Sequence, residues 1–282
     1  MNKIFFISFA STNMKQSLNR IGQQAKTLKL FNKIYLYTEK NLPKYAKQRC
    51  NEIIKITGTR RGYAYWAWKP VIINEVFNKI DEGDVIIYSD AGSHLNSNGR
   101  EKLLEYIEMA KQNDIWCVRL ESGLFDLNWT KMDAINYFRN TLIDNKEDFE
   151  KQLEEGQLEG GTIIAVKNSY TESLFKKWES IMTVKNLHLF DDSASKQPNY
   201  ASFVEHRHDQ SIFSLLLKSN HYIAVENKHC YSPDEYPTGG WKNLLDNEPF
   251  LRLRDVSRDN SIMNRFLILR LLRKVKHLID RS

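Results

Sequence analysis

The sequence predicts an α/β fold with a mixed, mostly parallel sheet and a C-terminal amphipathic helix, on three observations. Over about the first 120 residues, short apolar runs of strand length alternate with apolar residues at helical spacing, the pattern of β/α units. The most apolar of these runs closes on Asp90-Ala91-Gly92, a carboxylate followed by small residues. Near the chain end, residues 261–279 carry Ile262, Phe266, Leu269, Leu272, Val275 and Ile279 at helical spacing with basic residues interleaved.

Residues 3–9 read as the first strand, Ser11, Thr12 and Asn13 as helix caps, and Leu18, Ile21, Ala25 and Leu28 as one face of a helix. Two short strands are expected at 33–37 and 52–56, a helix at 71–80 with Ile72, Val76 and Ile80 on one face, and a buried strand at 85–88. A helix over 100–110 and a strand over 115–120 continue the alternation. Further on, 162–166 and 222–225 read as strands, 172–182 and 210–217 as helices, and 191–200 and 233–240 as loops. In such a sheet, binding sites belong at the carboxyl ends of the strands. Residues 1–255 are expected to form one main domain and 256–282 a basic amphipathic helix.

Composition narrows the class. The 282 residues, 41% hydrophobic with 12 Gly and 6 Pro, suit one globular domain and exclude a fibrous or disordered chain. Three cysteines, Cys50, Cys117 and Cys230, without CxxC spacing suggest neither a disulfide framework nor a thiolate zinc site, so a reducing cytoplasm is expected. The opening MNKIFFISFAST is too short an apolar run for a secretory segment and reads as a strand. The net charge of +6 lies largely in the tail, where Arg265, Arg270, Arg273, Lys274, Lys276 and Arg281 face only Asp280, a pattern suited to an anionic membrane surface. No phosphate loop, dinucleotide fingerprint or GxSxG elbow is present, which disfavours ATP hydrolysis, a dinucleotide cofactor and serine-hydrolase chemistry.

The residues that could carry chemistry concentrate in four places. Asp90 ends a strand, where it either caps a turn or faces a ligand past Ala91 and Gly92. Tyr63, Tyr65, Trp66 and Trp68, flanked by Arg60, Arg61 and Lys69, either form a core corner or offer rings to a base or sugar and cations to a diphosphate. Glu159-Gly160-Gly161 reads as a turn before a strand, with Glu159 a general base or merely a turn residue. His206, His208 and Asp209 stand just before a helix, as a capping cluster or as ligands that with Asp90 could bind a metal.

The ordered set RGYAYWAWKP, a helix, GDVIIYSDAG, EGGTIIAVKNS and HRHDQSIFSLL spans roughly residues 60–217 and resembles bacterial GT-A-type glycosyltransferases of capsule and O-antigen assembly. That resemblance implies a GT-A-like, Rossmann-type nucleotide-binding domain and transfer of a sugar from a nucleotide-diphosphate donor, a UDP-sugar, to a glycan or lipid-linked acceptor. It implies catalytic roles for Asp90, Glu159 and Asp209, and donor binding by Arg60, Arg61, Tyr65, Trp66, Lys69, Asp90, Ala91 and Gly92. Acceptor binding falls to Gly160, Gly161 and His206, and a divalent cation, Mn2+ or Mg2+, to Asp90 and His208. The family's second motif aspartate is Gly92 here.

On this reading the enzyme works in the cytoplasm, peripheral on the inner face of the cytoplasmic membrane through its basic tail, and binds no nucleic acid. The alternatives are a nucleotidyl- or phospho-sugar transferase using the same cleft, and a non-catalytic membrane or nucleic-acid binding protein acting through the tail and the aromatics.

Overall fold

The computed structural model describes residues 2–120, 124–141, 146–219, 225–226 and 247–251. The chain runs β1 (Ile4–Phe9), α1 (Lys15–Leu28), β2 (Lys33–Tyr37), α2 (Lys44–Thr57), a single turn α3 (Gly62–Tyr65), α4 (Lys69–Phe77), β3 (Val85–Ser89), β4 (His94–Leu95), α5 (Arg100–Asn113) and β5 (Ile115–Arg119). It continues through α6 (Asp126–Trp129), α7 (Met132–Thr141), α8 (Lys146–Leu153), β6 (Leu158–Val166), α9 (Ser169–Ile181), α10 (His208–Lys218), β7 (Val225–Glu226) and β8 (Phe250–Leu251).

Six strands form one mixed sheet in the order β2-β1-β3-β6-β5-β7. β1 is parallel to β2 and β3, and β5 to β7, while β6 runs antiparallel to both its neighbours, so the parallel pairings predominate as expected. The inversion of β6 matters for position. It brings the start of that strand to the edge where β1, β2 and β3 end.

Both faces of the sheet are buried, and side-chain alternation decides which core each residue enters. On β3, Ile86 and Tyr88 join the core under α2, α4, α9 and α10, whereas Val85 and Ile87 join the core under α1 and α5. Trp116 and Cys117 on β5 and Ile163 and Ile164 on β6 divide in the same way. Cys50 and Cys117 are buried thiols, both pushed up to about 12 by desolvation. Among the described residues, no helix is long and apolar enough to cross a membrane.

Three sequence expectations change. Residues 52–56, read as a strand, belong to α2, whose buried Ala46, Cys50 and Ile53 follow helical spacing and leave Ile56 exposed. Glu159-Gly160-Gly161, read as a turn, lies inside β6, buried along its length. The unassigned stretch between β5 and β6 carries α6, α7 and α8. Of the late strand at 222–225, β7 begins only at Val225, with 222–224 outside the described residues. The tail at 256–282, the loop at 233–240, Cys230, His221, His229 and His277 also lie outside them.

A buried polar junction ties these helices to the sheet. Asp126, fully buried at the start of α6, pairs with Lys218 at 2.7 Å and accepts from Ser214 (2.7 Å), Gln157 (3.0 Å) and Thr130 (3.2 Å). Burial holds the Lys218 amine below its ordinary value, yet its remaining protons go to the Gln152 and Glu155 carbonyls at 2.6 and 3.1 Å. The Gln157 amide oxygen accepts from Gln210 at 2.6 Å, which carries the junction to the start of α10. Removing one partner strands the other charge in a dry interior, so Lys218→Met is expected to lower unfolding free energy by about 3–5 kcal/mol in urea titration.

Candidate functional site

Parallel pairing puts the carboxyl ends of β1, β2 and β3 on one edge, and β6 and α10 begin there. The centre of this edge is Lys69. Its side chain leaves the first turn of α4, where Pro70 presets the helical φ, and is 2% exposed. A lysine at a helix start opposes the helix dipole, so the charge must be met from outside the helix. It is met three times: Asp209 at 2.5 Å, Asp90 at 3.4 Å and the Gly160 carbonyl at 2.9 Å. Burial opposes the Lys69 charge, but the two carboxylates outweigh it and raise the amine above its ordinary value.

Asp90 directly follows β3, and its Oδ1 also accepts the Tyr88 hydroxyl at 2.5 Å, while its backbone N–H donates to Gly161 O at 2.9 Å. Asp209 stands in the first turn of α10, where the dipole favours a carboxylate. Burial nonetheless dominates and pushes its carboxyl up to about 6, against the attraction of Lys69. A side chain at Gly160 would place Cβ 3.3 Å from Gln210 Cα, so the glycine lets β6 and α10 close on Lys69.

The approach to Lys69 is a left-handed turn. Gly62, Tyr63, Ala64, Tyr65 and Trp66 all have positive φ, from 46° to 67°. Such a turn disfavours L-residues by about 1–2 kcal/mol each and persists only where its surroundings enforce it. Trp68 stacks on Phe9 at 3.8 Å and donates its indole N–H to Gly62 O at 3.1 Å. A Cβ at Gly62 would fall 2.3 Å from the Trp66 ring, which requires glycine there. The aromatic run is therefore mostly core: Tyr63, Tyr65 and Trp68 are buried, and only Trp66 keeps partial exposure.

Beyond the turn lies a second cluster, centred on Asp192. Its carboxylate accepts from Arg61 and from the Tyr65 hydroxyl, both at 3.0 Å, and stands 3.6 Å from His208 Nε2. His208 donates Nδ1–H to Phe190 O at 2.8 Å and stacks against Trp66. His206 accepts the Lys131 N–H at 3.2 Å, and burial holds its imidazole well below its ordinary value. Beside this cluster a cavity of about 660 Å³ opens under residues 191–199.

The structure thus gathers Lys69, Asp90, Gly160, Gly161 and Asp209 into one cluster, and Arg61, Tyr65, Trp66, His206 and His208 into its neighbour. Arg60 points away, 3.7 Å from Glu39, which Thr12 also binds. Glu159 is buried in β6, two residues before Gly161. Ala91 O accepts from Arg20 at 2.9 Å, and the space beside Gly92 is open. Tyr88, Asp192, Gln157 and Gln210 were not singled out by the sequence; Gln210, next to Asp209, was the most accessible of them.

Among the described residues, no three His, Cys, Asp or Glu side chains are arranged to hold a metal ion. Asp90 and His208, paired as metal ligands in the sequence reading, enter different clusters. A cation shared with substrate phosphates needs fewer protein ligands, and Asp90 fits that case. It is partly exposed beside the open space at Gly92, and two carboxylates against one ammonium leave the cluster net negative.

No family model and no curated protein matches the chain. Solved structures similar to it include a glycosyltransferase involved in the glycosylation of the major capsid of PBCV-1, at 10% identity over 89% of this chain and 94% of that one, TM-score 0.44. Mouse xyloside xylosyltransferase 1 aligns at 10% identity over 89% and 97%, TM-score 0.42. The galactosyltransferase LgtC in complex with donor and acceptor sugar analogs aligns at 10% over 86% and 83%, TM-score 0.41. At these scores the likenesses bear on no residue and no activity of this chain.

The Asp209 shift gives a signed pH test. Its native carboxyl titrates near 6 and an ordinary one near 3.8, so between those values the native state holds the extra proton. Stability from this group therefore grows as pH falls from 6 toward 4. His206 and His208, both lowered, act in the opposite sense below pH 6.5. The difference between native protein and Asp209→Asn isolates the aspartate. Urea unfolding across this window is expected to show the native chain gaining on the variant by at most about 1.4 kcal/mol per pH unit; a flat difference refutes the shift.

Proposed function

We propose that the chain is a glycosyltransferase that moves a sugar from a nucleotide-diphosphate donor, a UDP-sugar, to a hydroxyl of a surface glycan or lipid-linked acceptor. The observation that carries this reading is the buried Lys69 ammonium holding Asp90 and Asp209 together at the carboxyl edge of the sheet. Nucleotides bind open α/β sheets at that edge. The ordered motifs that resemble GT-A enzymes converge on the same cluster.

In the transfer, the anomeric carbon–oxygen bond to the diphosphate breaks, and a bond to the acceptor oxygen forms. The acceptor's proton goes to Asp209, whose carboxyl titrates close enough to neutrality to take it and is held in place by Lys69. Lys69 also keeps Asp90 turned toward the edge, where its free lone pairs accept donor hydroxyls. A divalent cation held at Asp90 would supply neutralisation of the leaving diphosphate.

Thermal unfolding with a panel of nucleotide sugars, each with manganese or with chelator, tests the reading. A matching donor at a hundredfold its Kd is expected to stabilise the native chain by about 2.7 kcal/mol. Asp90→Asn, which leaves Lys69 its Asp209 partner, is expected to stay folded with a modestly lower melting temperature, lose the protection and release no nucleoside diphosphate. Protection of the variant equal to that of the native chain, with normal turnover, refutes the assignment of Asp90.

A further inference from the structure

We propose that the cavity of about 660 Å³ beneath residues 191–199 is the acceptor seat, and that it receives the uncharged, hydroxyl-rich end of a glycan. The inference rests on the transferase reading above. The volume falls within the roughly 300–1,000 Å³ of small-molecule sites. It is walled by Lys131, the 191–199 loop, Phe203, Glu205 and His206.

The loop is held in shape before any ligand arrives. The Lys131 ammonium, buried below it, donates to the Asp191 carboxylate at 3.0 Å and to the carbonyls of Asp191 and Ser193 at 2.9 and 3.1 Å. Asn199 accepts from the Met132 N–H at 2.7 Å and from Ser195 at 3.0 Å, and the Lys196 N–H donates to Asp133 at 3.0 Å. A preformed wall lowers the ordering cost of binding.

Position links this cavity to the proposed donor edge. Asp192, in its wall, is gripped by Arg61 and Tyr65 from the same left-handed turn that leads into Lys69. His206 in the wall is three residues before Asp209 and packs edge-on against His208, the first residue of α10. The cavity wall is thus tied through Asp192 to the turn that leads into Lys69, and through His206 to the start of α10.

The lining sets the chemistry. Phe203 gives one apolar ring, a partner for the C–H face of a pyranose, while the amides, hydroxyls and carboxylates of the loop suit a rim of hydroxyls. The cations are largely committed. Lys131 is spent on Asp191 and Ser193, and Arg61 on Asp192. Burial keeps His206 neutral near physiological pH. With those pairs formed, the exposed lining charges that remain are Lys196 and Glu205, which balance, so an acidic sugar finds no surplus cation to offset the desolvation of its carboxylate.

Saturation-transfer NMR on the full chain tests this, with methyl β-glucoside and methyl β-galactoside as neutral probes, methyl β-glucuronide as the acidic one, and uridine diphosphate read in parallel. At least one neutral glycoside is expected to bind, and the glucuronide at least about tenfold more weakly. Phe203→Ala is expected to weaken the neutral probe about fivefold or more and leave uridine diphosphate binding intact. Ala194→Trp, an exposed loop position lining the cavity, is expected to abolish glycoside binding by filling it.

Nucleotide binding without any neutral glycoside, equal binding of the glucuronide, or glycoside binding unchanged in both variants overturns the proposal. In each of those cases the donor reading keeps its own evidence from the nucleotide. Glycoside binding that both variants reduce, with no uridine diphosphate bound by the native chain, makes the cavity a glycan site and overturns both the UDP-sugar donor and the acceptor role that rests on it.

Discussion

A single buried ammonium sets the geometry on which the candidate site depends. Lys69 belongs to α4, its carboxylate partners to the end of β3 and the start of α10, and its carbonyl partner to β6. An unpaired charge at such a depth costs several kcal/mol, so these four elements cannot drift apart without exposing it. The antiparallel run of β6 is what makes the arrangement possible, because a parallel β6 would present its other end at this edge.

A second polar junction stands behind the first and has a different job. Asp126 and Lys218 fix the far end of α10 to α6 and to the stretch before β6. Gln157 in turn accepts a hydrogen bond from Gln210, beside Asp209. The helix carrying Asp209 is thus held at both ends by ion pairs, which restricts the tilt of its first turn. Rigidity of that kind keeps a reacting group within the narrow geometry that transfer chemistry requires.

Much of the sheet was legible in the sequence because apolar runs such as Val85-Ile86-Ile87-Tyr88 are buried on both faces and cannot be read as anything amphipathic. Asp90 was legible too, since a strand end followed by small residues is a local signal. The failures share one cause: the residues that decide each element lie outside a short window. Glu52 to Ile56 looks like a strand until Ala46 and Cys50 are included, and then it is a helix face. Glu159-Gly160-Gly161 looks like a turn because glycine usually marks one; here Gly160 is needed for the approach of α10, a contact distant in sequence. Nor could any spacing have shown that Tyr63, Tyr65 and Trp68 fill the core while Asp192, far along the chain, arrives to bind Tyr65.

The left-handed turn has a consequence for how this stretch can vary among descendants of the sequence. Its hydrogen bonds, Tyr65 N–H to Arg61 O and Trp66 N–H to Gly62 O, hold only while the residues between share one hand, and here that hand is the positive-φ one. Valine, isoleucine and threonine are rarely accommodated in that basin, and none occurs at positions 63 to 66. Substitution one position at a time is accordingly confined to residues that tolerate the inverted hand. An exchange for an ordinary right-handed turn would have to replace the whole segment together and would redirect Tyr65 and Trp66 at once. Drift in these positions is therefore coupled, and the path of the chain into Lys69 is inherited as a block.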